Sequence, residues 1–355
     1  ISSNSKTSYN GNYGLNASWT LYNGNKRLKT IQQEKLNNQM AELDVATSEN
    51  NIQESIAQVY IQILYAAESV KVNENTLQVS IAQRDRGQEL LNAGSIAKSD
   101  LAQLEAQVST DRYQLVTAQA TLEDYKLQLK QLLELDGENE MNIYLPALSD
   151  ENVLAPLPTK RDVYISALSL RPEIEASKLN VEASELGINI AKSSYFPTIS
   201  LSAGIGTNHT SGSDFTFGEQ VKNGWNNSIG LSVSVPIFNN RQTKSAVQKA
   251  KLQYETSMLS LLDEQKALYK TIESLWLDAN SAQQRYAAAN EKLKSTQISY
   301  ELISEQFNLG MKNTVELLTE KNNLLQAQQE QLQAKYMAIL NTQLLKFYQG
   351  DQLAL

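Results

Sequence analysis

The sequence contains no cysteine, only six prolines and fifteen glycines among its 355 residues, and its net charge is −8. Without cysteine the chain can form neither a disulfide framework nor a thiolate metal site. The negative charge and the lack of an evident basic patch argue against nucleic acid as a partner. Long tracts free of proline and glycine are typical of long helices.

Other signals are also missing. No run of eighteen apolar residues is present, so no transmembrane helix is predicted, and no signal peptide opens the sequence. A transmembrane β-strand needs only about ten alternating residues, so contact with a membrane stays open. No Ser-His-Asp set, phosphate loop or paired-carboxylate cleft is visible, and we expect no enzymatic activity, cofactor or bound metal. The single histidine, His209, is expected in a polar loop without metal-binding partners.

A long internal repeat organises the chain. The stretches at residues 12–29 (NYGLNASWTLYNGNKRLK) and 227–247 (NSIGLSVSVPIFNNRQTKSAV) both run from strand-like alternation directly into a helical pattern. An offset of 216 residues aligns them and holds without a gap across roughly residues 14–132 and 230–348. Repeats of 20–50 residues indicate solenoids, whereas a period this long indicates a duplicated half.

Each half carries the heptad pattern of long helices packed side by side. Continuous helices are predicted over 26–91 and 242–309, each about 100 Å long at 1.5 Å per residue. They break at residues 92–100 and 308–316, where Gly94 and Gly310 are expected to take the left-handed conformation. Ser99 and Thr314 are candidate N-caps of the following helices. Each half is therefore predicted to be a helical hairpin with a glycine at its tip.

The segment between the halves has a different character. Residues 136–170 carry three prolines and no clear period, which indicates a linker with a short helix near 160–169. Its acidic run, residues 136–140, is interpreted as a solvated turn rather than a cation site. A helix is predicted over 171–196, ending before Pro197.

Three predicted strands alternate apolar residues with small uncharged ones. They cover Tyr13–Leu21, Thr198–Gly206 and Gly230–Ile237. A soluble antiparallel sheet with one face on a core would show this pattern, and so would strands with lipid on one side. The polar, glycine-rich segment 207–227 is typical of a long outer loop and favours lipid.

Several of these pieces resemble one family. The segment RPEIEASKLNVEASELGINIAKSSYFPTISLSAG (171–204), the junction VSVPIFNNRQTKSAV (233–247) and the tips LNAGSIAKSDLAQLEAQ and FNLGMKNTVELLTEKNNLLQAQ are similar to signatures of TolC-type outer-membrane efflux proteins. The resemblance implies a mainly α fold with β, in which a homotrimer joins its long hairpins into a periplasmic helical barrel. Each chain would give four strands to one 12-stranded β-barrel in contact with outer-membrane lipid.

The repeat and the resemblance together divide the chain into a first half (1–135), a linker or equatorial segment (136–170) and a second half (171–355). Counterparts of the helix at 171–196 and the strand at 198–206 would precede residue 1, so we expect the first half to lack them. The implied function is a passive exit duct in the bacterial outer membrane, reaching into the periplasm and working with a periplasmic adaptor and an inner-membrane transporter. The residues alone leave one alternative open, a soluble coiled-coil scaffold.

The resemblance also suggests where the duct closes. By position after the tip glycine, Asp100 and Glu316 match acidic residues at the family's periplasmic entrance, and Lys312 matches a basic residue there. Phe307 stands where the family often has a tyrosine, so the hydroxyl is lost. The competing interpretation is that both residues are simply first-turn acids, which the helix dipole favours. The adaptor-contacting tips are expected at Gly94, Ser95, Ile96, Gly310 and Met311.

Overall fold

The computed structural model describes residues 8–135, 143–144 and 153–353. Its long helices fall into two hairpins, and its strands form one sheet. In chain order the elements are β1 (Asn10–Asn23), α1 (Lys26–Asn92), α2 (Lys98–Leu132), α3 (Lys160–Leu170), α4 (Pro172–Lys192), a 3₁₀ turn (Ser193–Tyr195), β2 (Thr198–Thr210), α5 (Phe217–Asn223), β3 (Asn226–Ser234), α6 (Gln242–Asn308) and α7 (Thr314–Gln349).

The two hairpins repeat each other closely. Helices α1 and α6 both contain 67 residues, and their first and last residues differ by the same 216-residue offset. Helices α2 and α7 begin at the same offset. Gly94 and Gly310 follow α1 and α6 with φ angles of 72° and 73°, the left-handed conformation that glycine adopts without strain. The predicted duplication is therefore confirmed in the backbone.

The junction between strand and helix is also duplicated. Gly24 and Asn25 have φ angles of 65° and 64°, and the equivalent Asn240 and Arg241 have 50° and 64°. Two consecutive left-handed residues therefore turn the chain from β1 into α1 and again from β3 toward α6. At Gly24 a Cβ atom would lie 2.7 Å from the carbonyl oxygen of Ser193. Glycine is required there both by the backbone angle and by the close approach.

The sheet is antiparallel, in the order β1-β2-β3, and its register sorts the side chains by polarity. Trp19, Leu201 and Leu231 are aligned across the three strands, whereas Ser18, Ser202 and Gly230 lie one position away on the other face. The apolar face continues through the aligned positions 15 and 205, 17, 203 and 229, and 199 and 233. Every strand thus has one apolar face and one face of small polar residues, as the alternation predicts.

Contacts divide the chain into two compact units. The first, residues 1–43 and 175–264, contains the sheet and the adjoining helical segments. In this unit the amide nitrogen of Gln33 donates to the carbonyl oxygen of Ala183 at 2.9 Å, and the hydroxyls of Ser184 and Ser257 lie 2.8 Å apart. Both halves of the repeat contribute to this unit, so its boundaries differ from those of the predicted halves.

The second unit, residues 44–174 and 265–355, has the larger core. One cluster surrounds Tyr286 and Tyr336, and another packs Val163 and Ile174 against α6 and α7. Arg171, directly before α4, donates to Glu54 at 3.3 Å and to Glu173 at 2.8 Å. The signature RPEIE therefore begins with a buried arginine that ties α1 to the start of α4.

Four local predictions are wrong. The N-caps are Ala97 and Asn313 rather than Ser99 and Thr314. Strand β3 ends at Ser234 and not at Ile237, because Pro236 has no N–H for the ladder. Segment 207–227 is not one irregular loop, since Thr216 and Glu219 form a capping box that starts α5. His209 lies in β2, which continues to Thr210, and it is paired with Gly11.

The linker is only partly described. The predicted short helix near 160–169 is confirmed as α3, capped by the side chain of Thr159, which accepts a hydrogen bond from the backbone of Asp162. The acidic run at 136–140 lies outside the described residues.

Candidate functional site at the helix tips

The ends of both hairpins border one open depression of about 700 Å³. All nine residues expected at the gate and the adaptor-contacting tips line it: Gly94, Ser95, Ile96, Asp100, Phe307, Gly310, Met311, Lys312 and Glu316. Residues more than 200 positions apart in sequence are therefore brought to the same end of the second unit.

Asp100 caps the helix that follows the first tip. One of its carboxylate oxygens accepts a hydrogen bond of 3.0 Å from the backbone N–H of Ala97. Because Ala97 has no side-chain acceptor, Asp100 makes only half of a capping box. This contact is the one expected of a first-turn acid that satisfies a helix N-terminus.

Glu316 makes the equivalent contact at the second tip and also pairs with a cation. Its carboxylate accepts from the backbone N–H of Asn313 at 3.2 Å and from the ammonium of Lys312 at 2.5 Å. The side chain of Asn313 completes a full capping box by accepting from the backbone N–H of Glu316 at 2.9 Å. The hydrogen bonds from Lys312 and from Asn313 hold the pKa of the Glu316 carboxyl below its ordinary value.

The apolar residues of the tips differ in exposure. Phe307 is 3% exposed and packs inside the hairpin end, although the residues that follow it in the chain, 308–310, are exposed. Met311 is 71% exposed, and Leu309 and Val315 are also exposed. The rim of the depression therefore presents both charged and apolar side chains to solvent.

Sequence reasoning missed a buried polar cluster in the second unit. Ser80 of α1, Asp111 of α2 and Lys321 of α7 contact one another, and each is at most 3% exposed. A signal was available, because Asp111 stands between Val108 and Leu115 at a position where the heptad seam expects an apolar residue. Counting only the apolar members of the seam passes over such a position.

Other candidate sites receive no support. His209 lies near the ring of Phe217, with 5.1 Å between ring centroids. Within residues 8–135, 143–144 and 153–353, no group of three or more His, Cys, Asp or Glu side chains is arranged to hold a metal ion. Among those same residues, no helix combines the length and apolar character needed to cross a bilayer.

Comparison with known proteins identifies the class. The family model described as "Outer membrane efflux protein" matches residues 2–134 and 163–350. The chain belongs to the outer membrane efflux protein family. The match includes both hairpins, all three strands and all nine tip residues.

Individual relatives of this efflux family are distant in sequence. The outer membrane efflux protein BepC of Brucella suis is 24% identical over 294 residues, which cover 82% of this chain and 61% of BepC. The outer membrane protein TolC of Escherichia coli is 24% identical over 294 residues, covering 80% of this chain and 58% of TolC. The chain thus spans about three fifths of the length of these relatives.

Solved structures show the same fold. A CusC structure superposes with a TM-score of 0.82 at 20% identity, covering 99% of this chain and 80% of CusC. The outer membrane protein VceC of Vibrio cholerae gives a TM-score of 0.76 at 15% identity, covering 98% of this chain and 88% of VceC. The predicted fold class, long duplicated hairpins with strands, is confirmed. Family membership also favours the outer-membrane class over a soluble scaffold, and this family is a class of channels rather than of enzymes.

Proposed function

We propose that this protein is the passive exit duct of a tripartite efflux or secretion system in the bacterial outer membrane. Three copies form a channel that crosses the outer membrane as a β-barrel and continues into the periplasm as a helical barrel. A periplasmic adaptor and an inner-membrane transporter complete the system. The duct itself requires no cofactor and carries out no catalysis.

The two-faced sheet is the observation that supports this function most strongly. Leu231 is 65% exposed and lies on a face with Trp19 and Leu201, while the opposite face carries small polar residues. A soluble protein would cover such an apolar face with its own core. Lipid on the apolar side and water on the polar side satisfy both faces at once.

The edges of the same sheet support an assembly. Strands β1 and β3 each have one neighbour in the sheet, so each leaves an edge of backbone groups without a ladder partner within the described chain. Open edges are not tolerated in hydrocarbon, where no water is present to satisfy them. Pairing with other copies of the chain removes the edges, and a trimer is the assembly proposed for this family.

The residues at the tips are proposed to form the periplasmic gate. Threefold symmetry would bring copies of Glu316 and Asp100 around one axis, where like charges repel. Lys312, 2.5 Å from the Glu316 carboxylate, supplies a counter-charge, and Phe307 supports the hairpin end from inside. The tips around Ser95, Ile96 and Met311 are the proposed contact with the adaptor.

Single-channel recording in planar lipid bilayers tests the duct and its gate together. We expect the purified protein to conduct with a preference for cations, because a ring of acidic residues selects for them. Glu316→Gln combined with Asp100→Asn should reduce that preference and weaken block by divalent cations. Glu123→Gln, an exposed acid of α2 away from the tip depression, is the matched control and should change neither property.

Crosslinking tests the proposed adaptor contact separately. A photoreactive residue at position 95 or 311 should capture the adaptor, whereas one at Glu123 should not. Capture from Glu123 alone would refute docking through the tips.

In the channel recordings, unchanged selectivity in the double acid variant would mean that Asp100 and Glu316 act only as helix caps.

A further inference from the structure

The buried cluster of Ser80, Asp111 and Lys321 joins helices of both hairpins. The Lys321 ammonium donates to the hydroxyl of Ser80 and to one carboxylate oxygen of Asp111, and the Ser80 hydroxyl donates to that same oxygen. The other Asp111 oxygen accepts a hydrogen bond of 2.9 Å from the amide of Gln107. Ser80, Asp111 and Lys321 are 2%, 1% and 3% exposed.

This ion pair is a poor device for stability alone. Burial lowers the pKa of Lys321, and this effect is larger than the opposing hydrogen bond and charge of Asp111. The charged lysine is thus less favourable here than it would be in water. Apolar residues of similar volume are often as stabilising as a buried ion pair. A role in selecting one arrangement of the helices explains its presence better.

The surroundings of the cluster make that selection strong. Asp111 follows buried Val108 on α2, and Lys321 lies between buried Leu317 and Leu324 on α7. If α7 shifted by one turn along α1 and α2, the ammonium would lie among apolar side chains without its carboxylate. A single buried polar residue in a heptad seam fixes register in coiled coils for the same reason.

We propose that the Ser80–Asp111–Lys321 cluster is a register lock that positions the N-terminus of α7 against the α1–α2 hairpin. Lys321 is five residues beyond Glu316 on the same helix, about 7.5 Å along its axis. Because α7 is continuous from Thr314, the lock sets the position of Glu316, and of the Lys312 side chain paired with it, relative to the first tip. The inference that the lock affects opening of the periplasmic gate rests on the proposed duct function, whereas the inference that it fixes the helix register does not.

The decisive variant replaces the whole cluster with apolar residues: Ser80→Ala, Asp111→Leu and Lys321→Met together. Lys321→Met alone would leave a buried carboxylate without its cation, so loss of folding in that variant would be ambiguous. The matched control is Lys292→Met, which removes the Lys292–Glu330 pair at 2.7 Å, a pair joining α6 and α7 at an exposed position. A register role predicts that only the triple variant changes the arrangement of the tips.

Spin-label distances measure that arrangement directly, and the absence of native cysteine makes labelling simple. Labels on cysteines introduced at Glu89 and Leu309, both exposed, report the separation of the two hairpin ends within one chain when labelled protein is diluted with unlabelled protein. We expect one narrow distance in the parent and in Lys292→Met, and a broadened or second distance in the triple variant. An unchanged narrow distance in the triple variant would overturn the proposal.

Channel recording then separates the lock from the duct. If the protein conducts, the triple variant should raise open probability by about tenfold, within the range typical of coupling between distant sites. A changed distance in a protein that never conducts would sustain the register lock and contradict the duct. A conducting triple variant with altered distances but unaltered open probability would refute control of the gate by the lock.

Discussion

Placing a charge on the apolar face of the sheet should disrupt assembly in the membrane far more than placing it on the polar face. The informative pair is Leu231→Lys and Ser232→Lys, adjacent positions on opposite faces of β3. Leu231 is the sixth of nine strand residues and is aligned with Leu201, so it lies near the middle of the sheet. Ser232 is aligned with Ser200 on the polar face.

The magnitude follows from what the Leu231 side chain contacts. Because most of this side chain is uncovered by its own chain, Leu231→Lys removes little protein packing. The cost is that of placing an ammonium in hydrocarbon, about 2–4 kcal/mol per chain near the midplane. A trimer carries the substitution three times, so assembly should lose about 6–12 kcal/mol. Ser232→Lys should cost much less, because its side chain would face water in the channel.

Urea unfolding of the protein in liposomes, followed by the amount of trimer captured by chemical crosslinking, measures both variants under the same conditions. We expect the Leu231→Lys trimer to dissociate at much lower urea or not to assemble. Equal losses from the two variants would mean that the alternation does not separate lipid from water. A larger loss from Ser232→Lys would reverse the assignment of the faces.

Further predictions concern the junction and the tips. Gly24→Ala should lower the free energy of unfolding by about 1–3 kcal/mol, because alanine would be strained at positive φ and would clash with the Ser193 carbonyl; in chemical unfolding, Gly218→Ala is the control, with open space around its Cβ. Lys312→Glu should raise conductance in bilayers by removing the counter-charge of Glu316, and unchanged conductance would exclude Lys312 from the gate. Since the folded-state pKa of Glu316 is lowered, its contribution to stability is present above pH 4.5 and is lost as pH falls through the lower folded value. Thermal unfolding of Glu316→Gln should therefore differ from that of the parent above pH 4.5 and converge with it in stronger acid.

The sequence predicts the helical hairpins almost to the residue. Helices expected over 26–91 and 242–309 are observed over Lys26–Asn92 and Gln242–Asn308. The heptad pattern is long enough to outweigh local irregularities, and the tip glycines supply clear stops. The nine tip residues could be predicted to lie together because the internal duplication and the family signatures align the two tips with each other in the same way.

The errors come from interactions that compete over a few residues. The capping box of Asn313 and Glu316 makes Asn313 the N-cap of α7. Thr314 is therefore the first residue of the helix and not its cap. Thr216 and Glu219 start a helix in a segment whose composition indicates a loop. Both capping patterns can be recognised in the sequence, but a prediction based on the overall polarity of a segment does not take them into account.

The buried cluster was missed for a different reason. Lys321 and Asp111 are 210 residues apart, so no local pattern pairs them. A charged residue at a seam position is visible from spacing alone, whereas its partner becomes evident only when the two hairpins are aligned in space. Charged seam positions in duplicated helical hairpins are therefore worth examining in pairs.

The mass of the protein in detergent tests the central claim most directly. We predict a single species in light scattering, corrected for bound detergent, whose protein mass is three times that of the same protein measured as a denatured single chain. Only an assembly can pair the open edges of the sheet in hydrocarbon, where lipid covers the apolar face. A stable monomer, or a protein that stays monodisperse in plain buffer and ignores membranes, would contradict the duct.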